Sequence, residues 1–100
     1  MVRQSIDKDK EEVVRKNLEN IILHFLKKQP MCGYDIIKTV FQRFHVLMSP
    51  GAVYPLLYSL KERGILETEI KVGERTKIYS VTKKGEKIIE NRSIDIKKIF

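Results

Sequence analysis

The 100-residue sequence has no tryptophan and only one cysteine, Cys32. A single cysteine excludes an internal disulfide, which is typical of proteins in a reducing compartment. No uninterrupted apolar run is longer than three residues, as at 21–23 and 46–48, whereas a membrane-spanning helix needs roughly 20. The first twelve residues are largely charged and lack the apolar stretch of a secretory signal. We therefore predict a cytoplasmic protein without a membrane span.

Motifs for catalysis and metal binding are also missing. His24 and His45 have no partner at the spacing of metal ligands, and Cys32 has no second thiol. There is no Gly-rich phosphate loop and no nucleophile motif. We predict that the protein is not an enzyme and that it has no metal site and no cofactor. Cys32 is then either a small buried hydrophobic residue or a redox-sensitive thiol.

Acidic residues are scarce in comparison with basic ones. Lys and Arg together number 20 and Asp and Glu 13, which leaves a net charge of +7 at pH 7. In one small domain, such an excess favours a polyanionic partner, above all nucleic acid. Apolar residues make up 42% of the chain. This content suffices for the core of a single domain and excludes a wholly disordered chain.

Helical spacing of apolar residues predicts two helices in the first half of the chain. The first covers residues 10–28, with Asp9 as its N-cap, and ends at Pro30. The second covers residues 34–44, where four apolar side chains recur at helical intervals.

A third helix is indicated by Ser49 followed by Pro50, because an N-cap residue before a proline at the first helical position is typical of a helix start. Gly64 is predicted to end this helix. Pro55 cannot donate a backbone hydrogen bond, so it either bends the helix or delays its start.

From Leu66 onward the apolar period changes to two, which predicts a β-hairpin with strands at 66–72 and 77–81. Thr82 is then expected to cap a last helix that runs to the end of the chain. Three helices, a hairpin and a further helix make a mainly α winged helix-turn-helix fold with a small antiparallel hairpin. Residues 1–8 form an N-terminal arm, 9–82 the winged domain and 83–100 the C-terminal helix.

In a winged helix, the third helix enters the major groove of DNA and the hairpin, or wing, contacts the adjacent backbone. The face of the third helix opposite its aliphatic residues is small near its start and aromatic or basic further on. This face lacks the Arg, Asn or Gln that make bidentate base contacts. Recognition of the base sequence by this helix is therefore expected to be modest or to depend on DNA shape. The alternative is a solvated helix face whose tyrosines pack on neighbours. The residues expected at DNA from this helix are Ser49, Gly51, Ala52, Tyr54, Pro55, Tyr58 and Lys61.

Five basic residues outside the third helix are further candidates for phosphate contact. Lys71, Arg75 and Lys77 share the hairpin, which favours contact with a phosphate; the alternative is an ordinary polar turn. Lys83 and Lys84 fall in the first turn of the last helix, where the helix dipole disfavours cations unless a phosphate is bound. Surface lysines also tolerate that small cost, and this alternative stays open.

Four segments resemble the PadR family of transcriptional regulators. They are Cys-Gly-Tyr-Asp-Ile-Ile at 32–37, Ser-Pro-Gly-Ala-Val-Tyr-Pro-Leu-Leu at 49–57, Leu-Lys-Glu-Arg-Gly-Ile-Leu at 60–66 and Lys-Ile-Tyr-Ser-Val-Thr-Lys-Lys-Gly at 77–85. The resemblance covers about residues 22–89. It implies a dimeric winged-helix repressor that binds double-stranded DNA, with Tyr34 and Tyr54 at or near the DNA and Pro55 as a tolerated bend.

The resemblance also implies a dimer formed by the C-terminal region together with the first helix, here residues 83–100 and 10–28. The single short C-terminal helix resembles the smaller subfamily, and no small-molecule effector is assigned. The residues expected at the dimer interface are Val14, Leu18, Ile22, Ile89, Ile96, Ile99 and Phe100.

Two functions are compatible with these features. The first is a homodimeric, sequence-specific transcriptional regulator on a palindromic operator, with recognition helices about 34 Å apart, one turn of DNA. The second is a winged helix that serves as a protein interaction module without specific DNA binding. This alternative is suggested by the face of the third helix, which is poor in residues that contact bases, and by the apolar end of the chain. That end could instead cover the domain's own core; its residues are Ile94, Ile96, Ile99 and Phe100.

Overall fold

The computed structural model describes the backbone of residues 2–99 and the side chains of residues 9–99. Within this range, five α-helices and one two-stranded antiparallel sheet are found. They are α1 (Val2–Lys16), α2 (Leu18–Lys28), α3 (Gly33–Phe44), α4 (Pro50–Glu62), β1 (Leu66–Ile70), β2 (Lys77–Val81) and α5 (Lys83–Arg92), and a 3₁₀ helix at Ile96–Lys98 follows. None of these helices has the length and apolar content needed to span a bilayer. The predicted mainly α fold with a hairpin is confirmed.

The first predicted helix is divided in two at Asn17. The side-chain amide of Asn17 donates to the Val13 carbonyl over 2.8 Å, and such local bonds compete with the regular hydrogen bonds of a helix. Upstream, α1 begins at Val2, so Asp9 lies inside a helix and does not cap one. The arm predicted for residues 1–8 falls largely within α1.

The N-caps of α3 and α4 are Cys32 and Ser49. Ser49 Oγ accepts a hydrogen bond from the Ala52 N–H over 3.2 Å, as the Ser-Pro pattern predicts. At α3 the cap is the Cys32 sulfur, which accepts from the Asp35 N–H over 3.5 Å. The helix α4 continues through Pro55, so the proline does not delay its start.

The wing is connected to the segment that precedes α3. Its strands pair from Leu66 opposite Val81 to Ile70 opposite Lys77. On the other side of β2, Tyr79 exchanges two backbone hydrogen bonds with Met31, with N···O distances of 2.8 and 3.1 Å. This bridge fixes the start of α3 beside the wing.

The start of α5 lies against the end of the α4–β1 connection. Thr82 Oγ1 accepts from the Gly85 N–H over 3.0 Å, as predicted for an N-cap, and donates to the Gly64 carbonyl over 2.7 Å. A Cβ atom on Gly85 would collide with the Ile65 carbonyl oxygen and lie 2.8 Å from Val81 Cγ1. Only glycine therefore allows this approach of α5 to residue 65.

The last predicted helix is shorter than expected. It ends at Arg92, because Ser93 adopts a left-handed conformation with φ of 52°. Asp95 Oδ1 then accepts from the Lys97 N–H over 3.0 Å and starts the 3₁₀ helix. Ile96 is buried, while Ile94 and Ile99 are partly buried against the core. The tail thus covers the core of its own domain.

Most residues expected at a dimer interface are buried within the single chain. Each of the five that the core includes is at most 5% exposed. These side chains are therefore already covered by their own chain. The five are Val14, Leu18, Ile22, Ile89 and Ile96; Ile99 packs against the core, and Phe100 lies outside the described residues.

Candidate nucleic-acid interface

The helix α4 separates an apolar face from a polar and aromatic face. Val53, Leu57 and Leu60 are fully buried, which anchors the helix in the core. On the opposite face, Tyr54 and Tyr58 are 44% and 62% exposed. The other residues expected at DNA are exposed as well, except that Ala52 is half-buried; they are Ser49, Gly51, Pro55 and Lys61. This face is open to a partner.

A cleft of about 470 Å³ lies between α4, the start of α3 and the wing. We call it the tyrosine cleft, since four tyrosines line it together with two basic residues: Tyr34, Tyr54, Tyr58, Tyr79, Arg75 and Lys77. Among the described residues, no carboxylate lines it. Tyrosine hydroxyls and basic side chains are common ligands of DNA phosphates. The fold thus brings five predicted DNA-contacting residues and Tyr79 into one cleft.

The ring of Tyr54 lies directly over Gly33 at the first position of α3. A Cβ atom on Gly33 would be 2.6 Å from both Cε1 and Cζ of this ring and 2.7 Å from its hydroxyl. Real Cβ contacts are not this short, so an alanine at this position would displace the ring. Gly33 therefore sets the position of Tyr54 in the tyrosine cleft.

Tyr79 was not among the residues expected at DNA. It stands on β2 and is 6% exposed. Burial raises the pKa of its phenol, and the neighbouring Tyr54 and Tyr58 raise this pKa further. The hydroxyl therefore stays protonated at neutral pH and is a hydrogen-bond donor. Tyr79 lies in the segment at 77–85 that resembles the PadR family, which was the available sequence signal for this residue.

The two lysines that begin α5 differ in their surroundings. Lys83 is exposed. Lys84 Nζ donates to the Arg63 carbonyl over 2.8 Å, at the C-terminal end of α4, where the helix dipole favours a cation. This contact explains a lysine in the first turn of α5 without a bound phosphate. Lys71 is exposed on the hairpin outside the tyrosine cleft.

Comparison with known proteins identifies the family of this chain. The model of the PadR-like family of transcriptional regulators matches residues 22–91, a range that contains the whole tyrosine cleft. The protein belongs to this family. The resemblance carried by the four sequence segments is thereby confirmed, and with it a place among DNA-binding regulators of transcription.

Solved structures of similar proteins share the fold. A PadR-like transcription factor from Bacteroides fragilis is 28% identical, with a TM-score of 0.71 over 92% of this chain and 91% of that one. A transcriptional regulator from Thermoplasma acidophilum is 30% identical, with a TM-score of 0.68 over 82% and 80% of the two chains. A PadR-like regulator from Bacillus cereus is 25% identical, with a TM-score of 0.71 over 80% and 81%. No protein of curated function matches the sequence.

In this PadR-like chain, one carboxylate joins the ends of three helices. Glu19 of α2 accepts from Arg63, which follows α4, over 2.6 Å and from Arg92 of α5 over 2.8 Å. Burial alone would raise the pKa of Glu19, but the hydrogen bonds from Arg92 and Arg63 outweigh it, and the pKa is lowered. The sequence did not reveal this cluster, because its members lie 44 and 73 residues apart.

We expect Glu19→Gln to destabilise the fold by about 1 kcal/mol at pH 7, the upper range for partly exposed ion pairs. A carboxylate with a lowered pKa in the folded state contributes stability above its ordinary pKa of 4.5, and this contribution is lost as the pH falls through the lowered value. Urea unfolding of both proteins at pH 7 and at about pH 3 measures the difference, which should shrink in acid. A constant difference across pH would contradict the assigned ionic role.

The remaining candidate side chains form no chemical site. His24 is half-buried, with its ring edge-on to Phe25 at a centroid distance of 5.6 Å. Burial and the charge of Lys28 lower its pKa. Cys32 is buried and caps α3. In the part of the chain that the structure describes, no three His, Cys, Asp or Glu side chains are grouped so as to hold a metal ion.

Proposed function

We propose that this PadR-like protein is a repressor that binds a palindromic operator as a homodimer. Each α4 would lie in a major groove, and each wing would contact the flanking backbone. The observation that carries the proposal is the tyrosine cleft together with the exposed face of α4. They place aromatic hydroxyls and cations on one side of the molecule.

The chemistry of this surface matches double-stranded DNA better than it matches a protein groove. Arg75 and Lys77 of the wing supply positive charge to the tyrosine cleft, whose described lining contains no carboxylate, and exposed Lys61 of α4 adds a further cation. A net charge of +7 adds long-range attraction to a polyanion. The alternative of a protein interaction module is weakened, because the apolar residues Ile94, Ile96 and Ile99 pack on the core of their own domain.

Homodimer formation is supported by the exposure of α1. Among the described side chains of this helix, at 9–16, Val14 alone is buried, so this part of α1 is largely not covered by its own chain. Two copies joined along α1 would present two α4 helices to DNA. We expect their separation to be about 34 Å, one helical turn.

The direct experiment is selection of bound fragments from the source genome by the purified protein. It is followed by gel shift on the selected fragments at low salt and by sedimentation to measure the mass of the free protein. We expect a dimer that selects fragments with an inverted repeat. A monomer, or a protein that retains no DNA at low salt, would reject the proposal and favour the protein interaction module.

The two wing cations should set part of the salt dependence of DNA binding. Each phosphate that is neutralised contributes about 0.9 to the slope of log affinity against log salt concentration. We expect Arg75→Gln with Lys77→Gln to reduce the slope by roughly 1.8 for each protomer, or about 3.6 for the proposed homodimer. Fluorescence anisotropy across a salt series measures it.

A matched control for this prediction is Lys97→Gln with Lys98→Gln. It removes the same charge at exposed positions of the 3₁₀ helix, outside the tyrosine cleft. We expect this control to keep most of the slope. Equal reductions in both double variants would show that net charge alone, and not contact by the wing, determines the slope.

A further inference from the structure

The hydroxyl of Tyr79 has no hydrogen-bond partner among the described residues. Its backbone is bonded to Met31, but no described group donates to or accepts from the phenol oxygen. Every fully buried side-chain nitrogen or oxygen in the described residues does have a partner. The hydroxyl must therefore reach the surface of the tyrosine cleft, although Tyr79 as a whole is only 6% exposed.

The first turn of α3 supplies further donors to the same cleft. Gly33 and Tyr34 line it, and their N–H groups bond to no other described residue, because the first bonds of this helix come from Asp35 and Ile36. Free N–H groups at a helix start attract anions. Here this ordinary feature coincides with the Tyr79 hydroxyl, which has no partner in the described chain and belongs to a residue that is only 6% exposed.

The opposite wall of the cleft is cationic. Arg75 and Lys77 approach from the wing, and the described lining contains no acid that would repel an anion or satisfy these cations. The volume of about 470 Å³ lies within the usual range of small-ligand pockets, roughly 300–1,000 Å³. It admits one nucleotide unit but not a duplex, so a duplex could present only its backbone to the cleft.

We propose that the tyrosine cleft is a phosphate-binding site, in which the Tyr79 hydroxyl and the start of α3 bind a phosphate that Arg75 and Lys77 neutralise. If the phosphate belongs to the DNA backbone, the inference rests on the proposed function. Free phosphate offers the same chemistry without DNA. Tyr79 would then be a DNA-contacting residue at the floor of the cleft.

The decisive variant is Tyr79→Phe, which removes the hydroxyl and keeps the buried ring. Its DNA affinity should fall about tenfold, as expected for a hydrogen bond to a charged group, with an unchanged melting temperature. In duplexes with one neutral methylphosphonate at a time, wild-type affinity should drop about tenfold at one position in each half-site. The variant should lose less than about twofold at that position, because its contact is already missing.

Ser80→Ala serves as the matched control, since it removes a hydroxyl from the next residue of β2, on the opposite face of the strand. It should bind DNA and respond to methylphosphonates as the wild type does. A DNA phosphate as the ligand of the cleft is ruled out if Tyr79→Phe binds DNA as tightly as the wild type, or if it keeps the wild-type sensitivity at every backbone position.

Inorganic phosphate alone distinguishes the two sources. In amide NMR spectra at constant ionic strength, replacing chloride by phosphate should shift Gly33 and Tyr34 in the wild type and less so in Tyr79→Phe if free phosphate binds. Shifts without a methylphosphonate effect support a free-phosphate site, and the reverse supports a DNA phosphate. Absence of both rejects the inference. If the wild type binds no DNA at all, the proposed function fails, and the phosphate titration alone decides the site.

Discussion

Gly85→Ala is expected to lower the melting temperature by about 10–20 °C. The new Cβ would collide with the Ile65 carbonyl oxygen and approach Val81 Cγ1. Overpacking of this kind costs about 2–3 kcal/mol, and in a chain of this length each kcal/mol shifts the midpoint by roughly 4–8 °C. The backbone oxygen cannot rotate away, so α5 itself would have to move.

Thermal unfolding followed by circular dichroism measures this loss. Gly51→Ala is the matched control, because a Cβ at residue 51 meets only Ser49 Oγ, at 3.8 Å, and alanine favours a helix over glycine. We expect the control to melt at or slightly above the wild-type temperature. Equal melting temperatures of Gly85→Ala and the wild type would show that α5 does not require the close approach to residue 65.

Gly33→Ala is expected to weaken DNA binding about 10- to 100-fold although it removes no polar group. The added methyl displaces the Tyr54 ring, which lies over residue 33. Tyr54→Ala should cause a similar loss by removing the ring. This magnitude corresponds to one or two hydrogen bonds to charged phosphates. Because Tyr54 is 44% exposed, both variants should melt within about 5 °C of the wild type.

The double variant Gly33→Ala/Tyr54→Ala tests the link between the two positions. We expect it to bind DNA as Tyr54→Ala does, because no ring is left to displace and the two losses do not add. Gel-shift affinities of the four proteins complete the cycle. Additive losses would indicate that residue 33 acts on DNA independently of Tyr54.

The parts of the fold with strong local signals were predictable from the sequence. Ser49 before Pro50 and Thr82 before α5 mark helix starts through their own side chains, and both cap the predicted helices. The two faces of α4 follow from the spacing of Val53, Leu57 and Leu60. These features depend on residues within one or two helical turns, where periodicity and capping rules operate.

The features that the sequence did not reveal depend on residues far apart in the chain or, at Asn17, on a side chain that competes for a helix hydrogen bond. Asn17 divides a helix whose apolar spacing is unbroken. The sequence left open whether Lys84 binds a phosphate or is an ordinary surface lysine, and it gave no sign of the contact with the Arg63 carbonyl. The apolar residues expected between protomers belong to the core, because spacing shows which side of a helix is apolar and not which surface covers it. Tyr79 joined the candidate site only once β2 was set against α3.

The bridge between Met31 and Tyr79 has a consequence for the kinetics of DNA recognition. Because each residue donates to the other, the wing and the start of α3 are held together before any duplex arrives. The conformational entropy of the wing and of the start of α3 is then lost when the chain folds and not when it binds DNA. We therefore expect encounter with DNA to proceed without a slow rearrangement, and preferred sequences to be distinguished from others by longer residence times.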